Sequence, residues 1–134
     1  NAANPALAAE QAAVLDAWVS RNDWGTILPA YSRCLRMVRD LPQEYAVDES
    51  LLVETEEKAL YEGVQKAQES LRDEPTFENA LVQIEQLVPL INAFFDKVLV
   101  MVEDEPLRNT RLGMLQVIAG LLKPFADLSR LEGF

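Results

Sequence analysis

The chain has 134 residues, long enough for one domain to bury most of its apolar surface without disulfide staples, and its single cysteine, Cys34, allows no internal disulfide. With no histidine, a zinc site and the common Ser-His or Cys-His nucleophilic machines have no obvious ligand or base. Hydrophobic content of 49% beside 25% charged residues is that of a folding protein, and a formal net charge of −10 argues on average against a nucleic-acid partner.

The average conceals blocks. Residues 42–105 hold sixteen acids against four bases, whereas 20–41 and 106–134 each carry four bases against two acids. No run approaches the roughly 20 apolar residues that span a bilayer, so no membrane partner is expected. A chain beginning with Asn1 and lacking a signal segment reads as a fragment or processed product of a larger cytoplasmic protein.

Helical periodicity dominates, and the expected fold class is an all-α bundle of five to six helices in one domain. The first helix follows Asn4-Pro5 and runs over about 5–20, with Leu7, Val14, Leu15 and Trp18 on one face. Asn22-Asp23-Trp24-Gly25 reads as a loop. The second helix is capped at Thr26 and covers about 27–41, with Pro29 in its first turn.

Residues 42–53 read as a loop with an apolar touch-down at Leu51 and Leu52. A third helix over about 55–71 places Leu60, Val64, Ala67 and Leu71 at helical spacing. A fourth, about 76–88, buries Phe77, Ala80, Leu81, Ile84 and Leu87. Pro89 predicts a break near 88 and a new helix over about 89–102 carrying Ile91, Phe94, Phe95, Val98 and Val102. Glu103-Asp104-Glu105-Pro106 starts the last helix, about 106–123, which Pro124 ends. The tail is expected to pack through Phe125, Leu128 and Leu131.

On the second helix Ile27, Tyr31, Cys34, Leu35 and Val38 share one sector, which predicts a buried, inert Cys34. Opposite them stand Arg33, Arg36 and Arg39, with Asp40 the one carboxylate of that helix. A solvated guanidinium stripe with few acids beside it suits phosphates, although any amphipathic helix keeps charges outside. Arg111 falls inside the apolar stripe of Leu107, Met114, Ile118 and Leu122, so it must be ion-paired in the core; Asp96 is the expected partner, with Glu103 the alternative. Arg108, at the edge of that face, can serve the core or a ligand. Trp24 and Tyr45, read as loop residues, are candidates for stacking on a base, whereas Trp18 and Phe94-Phe95 read as packing. The acid clusters Glu54-Glu56-Glu57, Asp73-Glu74 and Glu103-Asp104-Glu105 are placed at helix starts and read as caps rather than metal ligands or acid/base pairs.

Three stretches carry a resemblance. Residues 94–112, from Phe94-Phe95-Asp96-Lys97 through Glu105-Pro106-Leu107-Arg108 to Arg111-Leu112, resemble the C-terminal anticodon-binding domain of bacterial glycyl-tRNA synthetase β subunits. That family is named for a D-A-L-R motif, of which Leu107 and Arg108 match outright. Ser32-Arg33-Cys34-Leu35-Arg36-Met37 is similar to the family's K-R-V-x-N-I-like run, keeping Arg33, replacing the lysine with Ser32 and placing Arg36 at the asparagine position. Glu56-Glu57-Lys58-Ala59-Leu60-Tyr61 is similar to its E-K-A-L segment, and the ending Asp127-Leu128-Ser129 through Gly133-Phe134 looks like a natural carboxyl end of cyanobacterial or plastid type.

The resemblance implies a non-catalytic tRNA-binding module of glycine–tRNA ligase. Its partners would be tRNA-Gly and the catalytic α subunit or α region, with no DNA partner. It would use no cofactor, ATP and Mg being used by the parent's catalytic part. Arg33, Arg36, Arg39, Arg108, Trp24 and Tyr45 are the expected RNA-binding residues, with carboxylates in 42–57 as readers of anticodon cytosines through their amino groups. The alternative is a helical protein-interaction or assembly domain.

Overall fold

A computed structural model describes residues 5–125, in which five α-helices and no strand occur. They are α1 (Pro5–Val19), α2 (Trp24–Val38), α3 (Thr55–Asp73), α4 (Phe77–Lys97) and α5 (Glu105–Ala119), with a single 3-10 turn, Glu49–Leu51, between α2 and α3. The expected all-α class is what the chain adopts.

The local signals act where they stand. Thr76 caps α4 by accepting from the Asn79 N–H at 3.1 Å, and Asp104 caps α5 by accepting from Leu107 at 3.3 Å, with Pro106 in the first turn. Helices α3 and α4 form a hairpin through a three-residue link, and α4 also packs against α1 and α2. Helix α5 packs against α2 and α3. One apolar cluster joins all five, with Leu60 of α3, Ile91 and Phe94 of α4, Met114, Leu115 and Ile118 of α5 and Cys34 of α2 fully enclosed. The hairpin is locked by Asn79, whose Nδ2 donates to the carbonyls of Ser70 (3.2 Å) and Glu74 (3.0 Å) at the end of α3.

Four boundaries differ from expectation. Helix α4 runs unbroken through Pro89, with no new helix beginning there. The proline is exposed, so the Glu85 carbonyl it deprives of a donor lies on the solvent side, while Leu87, Val88, Ile91 and Phe94 anchor both halves in the core. The helix stops at Lys97, and residues 98–104 leave helical geometry. Val98 and Val100 are buried while Leu99 and Met101 face outward, the period of an extended segment.

Helix α2 begins at Trp24, three residues before the expected start. Pro29 is therefore its sixth residue, one turn after the exposed Gly25, rather than part of its first turn. Asp23 precedes the helix but does not cap it with its side chain, because its carboxylate is held by Arg21 at 2.9 and 2.7 Å. Helix α5 ends at Ala119 rather than near Lys123, where the Tyr31 hydroxyl donates to the Ala119 carbonyl at 2.5 Å. Phe125 packs beside Phe77 with ring centroids 6.1 Å apart; Leu128 and Leu131, with the rest of the carboxyl end, lie outside the described residues.

Candidate functional site

Helix α2 turns Ile27, Ala30, Tyr31, Cys34 and Val38 to the core, and this alone decides where its arginines point. Arg33, Arg36 and Arg39 are all exposed, and the last two stand at the helix C-terminus, where the backbone dipole favours cations. Arg33 does more than face water. Its guanidinium carbon lies 4.0 Å from the centroid of the Phe95 ring on α4, and Phe95 in turn meets the fully buried Phe94 edge-on at 5.5 Å. Phe95 was expected to be core; it is half-buried, one position off the Ile91–Phe94–Val98 stripe. Cys34 beneath this face is fully buried, and desolvation pushes its thiol up to about 12.

The other basic residues of the second block are not equivalent. Arg21 joins Asp23 and also bonds the Glu85 carboxylate of α4, while its guanidinium stacks on Trp18 at 4.3 Å. It fixes the α1–α2 corner to α4, and hydrogen bonds to Asp23 and then Glu85 raise its pKa further. Arg33, Arg36 and the C-cap Arg39 are the exposed arginines of α2.

The two aromatic candidates separate. Trp24 is not in a loop: it is the first residue of α2, half-buried against the core. Tyr45 does lie in the segment between α2 and α3, but its ring is half-buried and its backbone is fastened to α5. The Tyr45 N–H donates to Gln116 Oε1 at 2.8 Å, Gln116 Nε2 donates to the Gln43 carbonyl at 2.9 Å, and the Asp48 N–H donates to Thr110 Oγ1 at 3.1 Å. Between them Gly113 leaves room for the strand of backbone, since a Cβ there would sit 2.5 Å from the Tyr45 carbonyl oxygen. Thr110, Gly113 and Gln116 recur at intervals of three along one face of α5, a stripe without apolar side chains and so without a hydrophobic signal in the sequence.

Arg111 is buried and ion-paired, as its place in the stripe requires, but its partner is Glu57 on α3 and not Asp96, which is exposed near the end of α4. Arg111 Nε donates to Glu57 Oε2 at 2.7 Å and Nη1 donates to the Leu99 carbonyl at 2.5 Å. The other oxygen of Glu57 accepts from the backbone N–H groups of Glu54 (2.9 Å) and Val53 (3.2 Å). Burial pushes the Glu57 carboxyl up, but the Arg111 hydrogen bond and the two backbone donors outweigh it and hold the pKa below the usual glutamate value. Glu57 does act at a helix start, as expected of its cluster, and at the same time neutralises the core arginine. Its spacing of three and seven residues from Leu60 and Val64 was the available signal. Arg108, half-buried, donates to the Val102 carbonyl at 3.3 Å, so two arginines of α5 grip the extended segment after α4.

Of the carboxylates in 42–57, Glu57 is enclosed and Asp48 is engaged with the Ser50 N–H and hydroxyl at 3.1 and 2.6 Å; Glu44, Glu49 and Glu54 remain exposed. Among the described residues no three histidine, cysteine or carboxylate side chains gather as a metal ion would need, and no helix is long and apolar enough to cross a membrane.

Residues 27–128 match the family described as the DALR anticodon binding domain. The chain is 35% identical over 115 residues to the glycine–tRNA ligase β subunit of Thermodesulfovibrio yellowstonii, covering 84% of this chain and 17% of that protein. It is 34% identical over 133 residues to that of Acidobacterium capsulatum, covering 90% and 19%. It is 40% identical over 89 residues to that of Neisseria gonorrhoeae, covering 64% and 13%. The chain thus spans less than a fifth of the length of these relatives.

Proposed function

The chain belongs to the DALR anticodon binding domain family, and from that footing we propose that it is the module of a glycine–tRNA ligase that holds the anticodon arm of tRNA-Gly. The observation that carries the reading onto particular residues is the exposed arginine face of α2, in a chain whose net charge is −10. Guanidinium groups bind phosphate oxygens bidentately, and a row of them fixes the register of a nucleic-acid backbone without reading its sequence. Exposed carboxylates of the α2–α3 segment supply acceptors for cytosine amino groups, which reconciles an acidic surface with an RNA ligand.

The parent enzyme would perform adenylate chemistry with ATP and Mg in another region, the catalytic α part, in the cytoplasm. Arg108 and Trp24 keep only a secondary place in this proposal, since both are half-buried and engaged with their own chain.

The test is a salt titration of tRNA-Gly binding by the wild type and the Arg33→Glu/Arg36→Glu double variant. Each lost phosphate contact flattens log affinity against log salt by about 0.7 for single strands or 0.9 for duplex, so the double variant loses more than one unit of slope. In the ligase the same change raises KM for tRNA-Gly and leaves adenylate formation unaltered. Wild-type kinetics with an unchanged slope would overturn the assignment of the face. Binding of a protein partner, with no tRNA binding, would return the assembly-domain alternative.

A further inference from the structure

We infer that the stacked pair of Arg33 and Phe95 is a platform for one unpaired nucleobase of the RNA. The inference rests on the tRNA-binding reading above and adds a base-contacting function to residues that reading uses only as phosphate anchor and core.

The geometry is that of a prepared surface. Phe94 is fully buried and meets Phe95 edge-on at 5.5 Å, with the two ring planes at 75°, so the Phe95 ring is held from behind by the core. The Arg33 guanidinium carbon lies 4.0 Å from the Phe95 ring centroid, on a residue that is exposed. The guanidinium is planar, pre-organised and able to stack on aromatic faces, so it offers a flat surface of its own to a third plane. Guanidinium and aromatic planes are the surfaces on which splayed RNA bases stack, and the interaction tolerates any base because each has a π-face.

The surroundings favour RNA as the occupant. Arg36 follows one helical turn after Arg33 on the exposed side of the same helix, and Arg39 one turn further, so a strand whose base lies on the platform runs its phosphates along α2. A purely structural cation–π contact does not require the planar group: lysine serves it. Stacking of a base does require it, and this difference supplies the test.

Fluorescence of a nucleobase probe, excited at wavelengths where the two tryptophans do not absorb, provides the readout. A tRNA-Gly transcript carrying pyrrolocytosine at one or the other anticodon cytosine is titrated with the chain, with a tRNA of unrelated anticodon as control. Stacking quenches the probe. Arg33→Lys keeps the charge and removes the plane; Phe95→Leu keeps apolar volume and removes the ring, with its melting temperature recorded. The expected result is loss of quenching at one probe position in both variants, and affinity weakened roughly 5- to 140-fold, the range for loss of one stacked base, with the salt slope of Arg33→Lys unchanged. Wild-type quenching and affinity in Arg33→Lys would overturn the platform while leaving the arginine face as phosphate anchor. Failure of the wild type to bind tRNA-Gly would instead overturn the tRNA reading, and the platform with it.

Discussion

Arg111 of α5 and Glu57 of α3, 54 residues apart in the chain, form an ion pair at 2.7 Å with their side chains 6% and 0% exposed. Each remaining polar atom that the pair uses reaches backbone. Glu57 takes the N–H groups that precede α3, and Arg111 takes the carbonyl of Leu99 beyond α4. The contact therefore ties two helices and two connecting segments at one point, the arrangement that offsets the desolvation of a buried pair.

Removing one partner strands the other. Arg111→Ala should lower stability by about 3 to 5 kcal/mol, measured by denaturant unfolding, and Glu57→Ala by a similar amount. The double replacement Arg111→Met/Glu57→Leu should cost less than either single change, because no uncompensated charge remains. Arg36→Ala, on the surface, should shift stability by less than about 0.5 kcal/mol.

Acid should weaken the same contact. The folded-state pKa of Glu57 is depressed from its ordinary value of 4.5, so the unfolded chain binds a proton more readily than the folded one. Its contribution is whole at neutral pH, begins to fall as pH drops below 4.5 and is lost once pH passes the folded-state value. The stability gap between wild type and Glu57→Gln should narrow over that interval in unfolding curves taken from pH 7 to pH 3.

Cys34 reports opening of the core. It is 0% exposed, and burial raises its pKa to about 12, so neither access nor thiolate is available at pH 8. Labelling by a disulfide reagent at pH 8 should follow the population of the opened core, and should accelerate in Arg111→Ala by about tenfold for each 1.4 kcal/mol of stability lost. Rapid labelling of the native wild type would contradict the packing of α2.

Gly113 and Gly63 should respond differently to alanine. At Gly113 the added Cβ meets the Tyr45 carbonyl oxygen at 2.5 Å, which is backbone held by Gln116, so Gly113→Ala should cost about 1 to 3 kcal/mol by overpacking. At Gly63 it meets the side-chain ends of Leu90 and Leu87 at 2.6 and 3.0 Å, which can rotate aside. A gain in helix propensity of about 1 kcal/mol then offsets the crowding, and melting temperatures of the two variants should differ accordingly.

How far local rules reach is visible in individual residues. Thr76 and Asp104 mark helix starts through hydrogen bonds that close within three residues, Pro106 does so through its fixed φ, and the core faces of α2 and α3 follow from helical geometry, so these are legible in the sequence alone. The exposure of Arg33, Arg36 and Arg39 follows from the same wheel. Resemblance in residues 94–112 supplied the family, which no periodicity could.

What the tertiary structure decided depends on groups brought together from afar. Pro89 leaves α4 whole because Leu87, Val88 and Ile91 hold both sides of it in the core, a strength that local propensity does not contain. The partner of Arg111 is a carboxylate whose nearness is set by the packing of α3 on α5, and Asp96, adjacent by chain logic, is not it. The path of residues 43–48 along Thr110, Gly113 and Gln116, and the seating of Arg33 on Phe95, likewise join segments more than 60 residues apart. A single chain carries the residue types for many such contacts; burial of one shared core selects which of them form, since it alone makes the others pay desolvation without a partner.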